Sequence, residues 1–369
     1  MNRAFSIYLD VVRFVAAFLV YLYHSNQRLL VQDVLPASHF GHSSVIVFFV
    51  LSGFVIAYIT DTKERQWPAY AASRLSRVYS VALPAVVLTL LLDGIGRQLM
   101  PGLYGYPYDQ FAVRSAASLA MLNETWLVSI TSFSNVPYWS ICYESWYYLA
   151  FGAAMFLPRR WVALALLGMA VVIGPKIVLL APIWISGVLL YRWKSLLNIS
   201  LPWAVGLAVA SVLGIVLFHT QGVEPLVSEW TKSMLGADLH TKLTFSKFFL
   251  SDYLLTVLVF ANFTAMRRVA AATEWLWLPI EKPVRFVAGF TFTLYLLHQP
   301  LFLFWAAVLR GDAKGYGYWW ATTALVLLSV VVVGHFTESR RHHLRRWLLT
   351  KLERIRAGSK VQGASKHAA

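Results

Sequence analysis

The chain has 369 residues and a single cysteine, Cys142. One cysteine excludes an intrachain disulfide and any metal site built from cysteines alone. Its apolar neighbours mark it as a packing residue rather than a reactive thiol, and no metal site is expected. Charge is scarce too. Asp, Glu, Lys and Arg make up 13% of the sequence, about half the share usual in a soluble domain. Acidic residues are the scarcer sign, 17 against 32 basic. No repeat relates the two halves of the chain, which weighs against a secondary transporter, since many of those are built from repeats.

What the chain has in abundance is hydrophobic sequence, 58% of its residues, with a mean hydropathy of +0.60. It reads as an all-α, multi-pass integral membrane protein. A spanning helix needs about 20 apolar residues. Ten runs come close: 5–24, 43–60, 78–96, 139–157, 161–174, 177–191, 202–219, 249–266, 287–308 and 318–336. Runs 161–174 and 177–191 are short and must tilt little or thin the bilayer. The first run is a poor signal peptide, because Arg13 interrupts it and no small-residue cleavage site follows. It is expected to stay in the protein.

With ten spans both termini share a side. Loops on that side hold 22 of the 32 basic residues, and the opposite loops hold nine, Lys314 among them. The positive-inside rule puts the basic side, and both termini, in the cytoplasm. The net charge of +15 is then a topology signal, and no nucleic-acid partner is expected. The cluster RRHHLRRW at Arg340–Trp347 is expected to rest on anionic headgroups of the membrane lipids. Residues 1–347 form one membrane domain. Residues 348–369 form a basic cytoplasmic tail, whose polar end GSKVQGASKHAA is too poor in apolar residues to fold alone.

The first run carries three ionisable residues, Asp10, Arg13 and His24. A helix turns about 100° per residue. Arg13 to His24 is eleven steps, three turns plus about 20°. Asp10 to His24 is fourteen steps, within about 40° of four full turns. All three therefore share one stripe, with Arg13 and His24 roughly 16 Å apart along the axis. An ionisable group in a membrane helix costs a few kcal/mol unless it faces a cavity or a partner. Two readings stand. One is a structural Asp10–Arg13 pair with an interfacial histidine. The other is a polar pocket running through much of the membrane.

Four further constellations invite chemistry. Arg74-Leu75-Ser76-Arg77 stands at the cytoplasmic mouth of the third run. Residues i and i+3 share a helix face, and two guanidiniums there make an always-charged fork for phosphate. Two more positive-inside arginines are the plain alternative. Trp139-Ser140-Ile141-Cys142-Tyr143-Glu144 opens the fourth run at its outer end, with Trp139 and Tyr143 flanking the acid. Glu144 lies at a depth similar to His24, where a carboxylate can orient an imidazole ring and stabilise its cation. Alternatively it caps backbone or meets solvent. Ser52-Gly53 in the second run suits close helix approach better than it suits a nucleophile. His298 precedes Pro300, which frees backbone carbonyls, so His298 either satisfies these or takes part in chemistry. The long outer connection 94–137 carries Tyr104, Tyr106, Tyr108, Phe111 and Trp126, rings suited to sugar faces and equally to membrane anchoring.

These pieces together resemble the membrane acyltransferase-3 family, which acylates sugars of bacterial envelope polysaccharides and related acceptors. The matching stretches are LDVVRFVAAFLVYLYH (Leu9–His24), VFFVLSGFVIA (Val47–Ala57), RLSRVYS (Arg74–Ser80), WSICYESWYYL (Trp139–Leu149) and TFTLYLLHQP (Thr291–Pro300), in family order. The resemblance implies that Arg13 and His24 are essential and that Arg74 and Arg77 serve acyl-CoA. Many members carry an acid in a G-V-D-like run before the paired phenylalanines. Here Gly41–Val47 has none, so its role either lapses or passes to Glu144.

The resulting expectation is an O-acyltransferase of the bacterial inner membrane, about ten helices enclosing a polar pocket. It would hold no bound cofactor. Acyl-CoA, most simply acetyl-CoA, would be the donor, and an envelope or exopolysaccharide glycan or lipid-linked oligosaccharide the acceptor. His24 would act as general base with Arg13 and Glu144, Arg74 and Arg77 would bind donor, and Asp10, Ser52, Trp139, Tyr143 and His298 would support them. The rival is a transporter or flippase of a lipid-linked sugar that uses the Asp10/Arg13/His24 stripe as a proton relay.

Overall fold

In hydrocarbon an unpaired backbone group costs several kcal/mol, so long apolar runs fold as helices that pair their own backbone. The computed structural model describes residues 1–29, 35, 37–311 and 315–366, with side chains as far as Ala357. It is 84% helical, with no strand among the described residues. Lys314, and the side chains of the polar tail end at 358–369, lie outside the described residues.

Helices stand at all ten of the expected runs. They are α1 (Arg3–Leu29), α2 (Gly41–Thr62), α3 (Trp67–Leu99), α4 (Trp139–Phe156), α5 (Arg159–Ile173), α6 (Pro175–Arg192), α7 (Leu201–Thr220), α8 (Phe249–Ala272), α9 (Thr291–Leu309) and α10 (Tyr316–Phe336). A basic helix, α11 (Arg341–Lys366), follows. Of the ten, all but α4 and α5 are long and apolar enough to cross a membrane. α4 is interrupted by Ser140, Glu144 and Ser145. α5 has 15 residues, only about 22 Å of rise.

Burial sorts the helices into a centre and a rim. Inside the protein lie 78% of α9's apolar window and 72% of α2's, against 17% of α7's. α1 packs on both α2 and α9, and α3 packs on α9, and these four together with α4 line the protein's polar interior. α2 and α6 touch backbone to backbone. A Cβ on Gly53 would sit 2.0 Å from the Trp184 carbonyl oxygen, and one on Gly187 would sit 2.0 Å from that of Val50. Gly53 thus serves helix approach. Pro300 has no N–H to offer the Leu296 carbonyl. Asn135, from the loop before α4, donates to that carbonyl instead, at 2.8 Å.

α3 has 33 residues, about 50 Å of rise, against a hydrocarbon core of about 30 Å. One end therefore projects from the bilayer. α11 lies along α3, and Arg356 donates to the Gln66 side chain at the start of α3. On the other side of the protein the loop before α4 is held by Lys176. Its buried ammonium donates to Glu124 at 2.5 Å, to the Val128 carbonyl at 2.7 Å and to Ser129 at 2.8 Å. Burial raises the Glu124 carboxyl above its usual range, and the Lys176 charge opposes that rise.

Candidate active site

α1 and α9 bring His24 against His298. The rings lie 5.1 Å apart between centroids and 29° from parallel. His24 Nδ1 is 2.9 Å from His298 Nε2 and 3.1 Å from the Val20 carbonyl oxygen. His298 Nδ1 meets the carbonyls of Tyr295 and Leu294 at 2.8 and 3.1 Å. Carbonyl oxygens only accept, so in the neutral pair Nδ1 of His298 carries the proton and its Nε2 offers a lone pair. That lone pair accepts from His24 Nδ1–H. The partners thus assign the tautomers, and Nε2 is left as the unprotonated nitrogen of His24. His298 therefore does both things the sequence left open: it satisfies carbonyls of its own helix and orients a second ring.

A roof lies beside the pair. Arg28, one turn beyond His24 on α1, donates to Tyr106 Oη at 2.8 Å, and Gln299, next to His298, donates to the same oxygen at 2.8 Å. Burial raises the Tyr106 phenol above its ordinary range, and the Arg28 charge opposes that rise. The neighbouring Tyr104 and Tyr108 rings lie under the Arg97 guanidinium. These three tyrosines are pinned onto the protein, whereas Trp126 and Phe111 stay exposed.

On the other side of the pair, Tyr295 leads inward. Its ring is 6.3 Å from His298, and its hydroxyl is 2.6 Å from Ser140 Oγ. Tyr295 and Ser140 line the inner end of a cavity of about 360 Å³. Six cationic side chains line the same cavity: Arg13, Lys63, Arg74, Arg77, Arg341 and Arg345. Among the described residues only two carboxylates do, and both have partners. Glu64 pairs with Arg74 at 2.8 Å, and Glu144 Oε1 accepts from Tyr148 at 2.6 Å. Arg74 is buried between the Tyr70 and Tyr148 rings. Arg77 lies over Phe292. The Nε atoms of Arg13 and Arg74 are buried without a protein partner. A buried N–H left unpaired is costly, and a cavity lined by six cations and two engaged carboxylates suits an anion chemically.

The expected site residues thus divide. Arg13, Arg74, Arg77, Glu144 and Ser52 meet in one cavity. His24 and His298 form the next layer. Glu144 does not orient His24 by a direct contact: its hydrogen bond goes to Tyr148, and the His24 ring is held by His298 and Val20. Equal depth on two helices does not decide which faces meet. Asp10 pairs with Arg13 at 3.0 Å and with Arg285 at 2.5 Å, and Arg285 also pairs with Glu281 at 3.2 Å. This is the structural ion pair, extended into a chain. Ser52 Oγ accepts from Trp184 at 3.2 Å and lies 3.3 Å from the Tyr148 hydroxyl.

Trp139 stacks on Phe245 at 4.3 Å, and Tyr143 meets Ser246 at 2.9 Å; they fix the 244–248 turn rather than line the cavity. The run Gly41–Val47, which lacks an acid, is met by one from elsewhere: His42 Nε2 is 3.0 Å from Asp252 of α8. Residues unforeseen in the sequence are Glu64, Tyr148, Ser140, Tyr295, Lys63, Arg341 and Arg345. Of these, only Tyr148 carried a local signal, four residues from Glu144 on one helix face. Among the described residues no group of three or more His, Cys, Asp and Glu side chains is placed to hold a metal ion.

A family model described as an acyltransferase domain matches residues 6–337, nearly the whole chain. No curated protein and no solved structure matches it. With its apolar helices and its match over that length, the chain is a multi-pass membrane protein of the acyltransferase-3 family, and hence a membrane acyltransferase.

Proposed function

We propose that this acyltransferase takes an acyl group, most simply acetyl, from cytoplasmic acyl-CoA and places it on a hydroxyl of an envelope or exported glycan, free or lipid-linked. The observation that carries the reading is the one nitrogen that the His298 contact leaves unprotonated, Nε2 of His24, a layer away from a cavity of arginines. A sugar hydroxyl is a poor nucleophile at its own pKa and needs a base that works near neutrality. Nε2 of His24 removes the hydroxyl proton as the oxygen attacks the thioester carbonyl carbon. The carbon–sulfur bond then breaks, and the imidazolium returns the proton to the thiolate, so that CoA leaves as the thiol. Direct transfer needs no acyl-enzyme.

Arg74 and Arg77 hold phosphate oxygens of the donor, the task for which planar guanidinium suits best. Arg13, roughly 16 Å along α1 from His24, holds polar groups of the donor's arm, which is long and thin enough to run between the two. Glu64 and the Tyr148 ring hold Arg74, Glu144 holds Tyr148, and His298 holds the base. The arginine side is the cytoplasmic side, both termini lie there, and the membrane is the bacterial inner one. The 22-to-9 split of basic residues supports that orientation.

The test uses purified full-length protein and acetyl-CoA. CoA thiol should appear slowly alone and faster with oligosaccharides cut from the host's envelope polysaccharide. No thiol under either condition would defeat the donor assignment. A reporter fused after Ala369 should be active only in its cytoplasmic form, and the reverse would move the donor to the other face.

A further inference from the structure

The family match ends at residue 337, yet the cavity does not. α11 starts four residues later, lies along α3 with Arg356 at the Gln66 end, and turns Arg341 and Arg345 into the cavity beside Lys63. The two arginines are four apart, so they share one face of α11. The cations are graded by depth. Arg74 is 7% exposed, Arg77 is partly covered by the Phe292 ring, and Arg341 and Lys63 are exposed at the mouth.

The carboxylates nearby are already engaged. Glu64 pairs with Arg74. Glu338 accepts from the Thr293 N–H and hydroxyl at 3.0 Å each, at the start of α9. Among the described residues Lys63, Arg341 and Arg345 make no ion pair. Three cations at the mouth are thus left for a ligand, separate from the deeper set whose buried Nε atoms also lack partners. A donor with one cluster of phosphates would occupy one set and leave the other empty.

We propose that Arg341 and Arg345 form a second phosphate subsite at the cavity mouth, which receives the lone 3′-phosphate of a CoA donor while Arg74 and Arg77 receive its pyrophosphate. This rests on the acyl-CoA reading above and makes the C-terminal helix part of the donor site. The sequence assigned these arginines to lipid headgroups. The other basic residues of α11, such as Arg346 and Lys351, are exposed and remain free for that task, so one helix serves donor and membrane on different faces.

The experiment compares acetyl-CoA with acetyl-dephospho-CoA, which lacks only the 3′-phosphate, using full-length protein and thiol release. The wild type should use acetyl-CoA about tenfold better or more, the effect of losing one hydrogen bond to a charged group, and the difference should lie in KM. In R341Q/R345Q the KM for acetyl-CoA should rise to that for the dephospho donor, while kcat and the dephospho KM stay put. R341K/R345K should restore most of the preference, which separates charge from folding. Equal use of both donors by the wild type, or a double variant weakened equally on both, would overturn the subsite and leave the acyl-CoA reading standing. Thiol release from neither donor by the wild type would overturn both.

Discussion

The histidine pair and the arginine cavity meet opposite demands. At the pair the contacts close on themselves: the protons on His298 Nδ1 and His24 Nδ1 each find an acceptor within 3.1 Å. In the cavity six cations face two carboxylates that have partners of their own, and two buried Nε–H groups have none. Buried polar groups in a finished structure are satisfied. The two imidazole N–H groups of the pair are therefore satisfied within the protein, the preorganisation that the proposed base requires. The cavity keeps hydrogen-bond donors in excess of acceptors, an imbalance that the proposed anionic acyl donor would even out. Loss of function should follow the same division, rate at the pair and affinity at the cavity.

The sharpest break in that comparison is His24→Gln. Gln retains hydrogen-bonding and much of the size but cannot take up a proton. A general base contributes about 10²–10⁴-fold, so glycan acylation at matched expression should fall by that factor, with the protein still folded in the membrane. Near-normal product from this variant would end the assignment of His24 as base.

At the cavity, Arg77→Ala should raise the donor KM about tenfold or more, as expected for a lost hydrogen bond to a charged group, and leave kcat nearly unchanged. Arg74→Ala should do the same, and in addition it leaves Glu64 buried without its partner. Lysine at either position should rescue in part, since it cannot form the bidentate fork. Initial rates against acetyl-CoA concentration decide this. Unchanged saturation in both alanine variants would reduce the arginines to topology signals.

A subtler effect is expected at His298. In His298→Ala, His24 Nδ1–H keeps only the Val20 carbonyl, so kcat should drop about tenfold, roughly the effect of one hydrogen bond, with the donor KM unchanged. His298→Gln offers an amide oxygen to the same N–H and should recover part of the loss. If alanine and glutamine behave alike, His298 is packing and the tautomer of His24 is held without it.

How much of this was legible depended on the kind of contact. The helices could be read because hydrocarbon admits few alternatives to them, and most runs end within about five residues of the helix ends. But α3 starts at Trp67 rather than 78 and α8 runs to Ala272 rather than 266, since their polar, arginine-bearing ends project past the apolar stretch. Contacts within one helix were legible too. The Asp10–Arg13 pair follows from a spacing of three, and the spacing of four between Glu144 and Tyr148 carried the same signal, though Tyr148 was unforeseen. Contacts between helices were not. His24 and His298 are 274 residues apart, and no spacing in the chain announces their meeting. Glu144 was matched to His24 by depth alone, but depth leaves the azimuth of each helix free. Arg341 and Arg345 looked like any positive-inside arginines, and only the packing of α11 on α3 turns them into the cavity.

Asp10 sharpens the comparison by belonging to neither region. It shares the stripe of Arg13 and His24, yet its carboxylate is spent on Arg13 and Arg285. Asp10→Asn keeps the shape and removes the charge. Arg285 is about two-fifths exposed, so its half of the interaction is screened by solvent and is worth at most about 1 kcal/mol. Arg13 is more enclosed and loses its nearest counter-charge while keeping its place at the cavity wall. The expected outcome is a modest loss of thermal stability in detergent and kcat within about fivefold of wild type, since one weakened hydrogen bond is worth about 1 kcal/mol. A proton relay along the stripe forecasts something else: Asp10→Asn would then be as inactive as His24→Gln at unchanged stability. Thermal midpoint and acylation rate measured on the same preparation separate the two. A dead but fully stable Asn variant would join Asp10 to the chemistry and dissolve the boundary between the base and its scaffold.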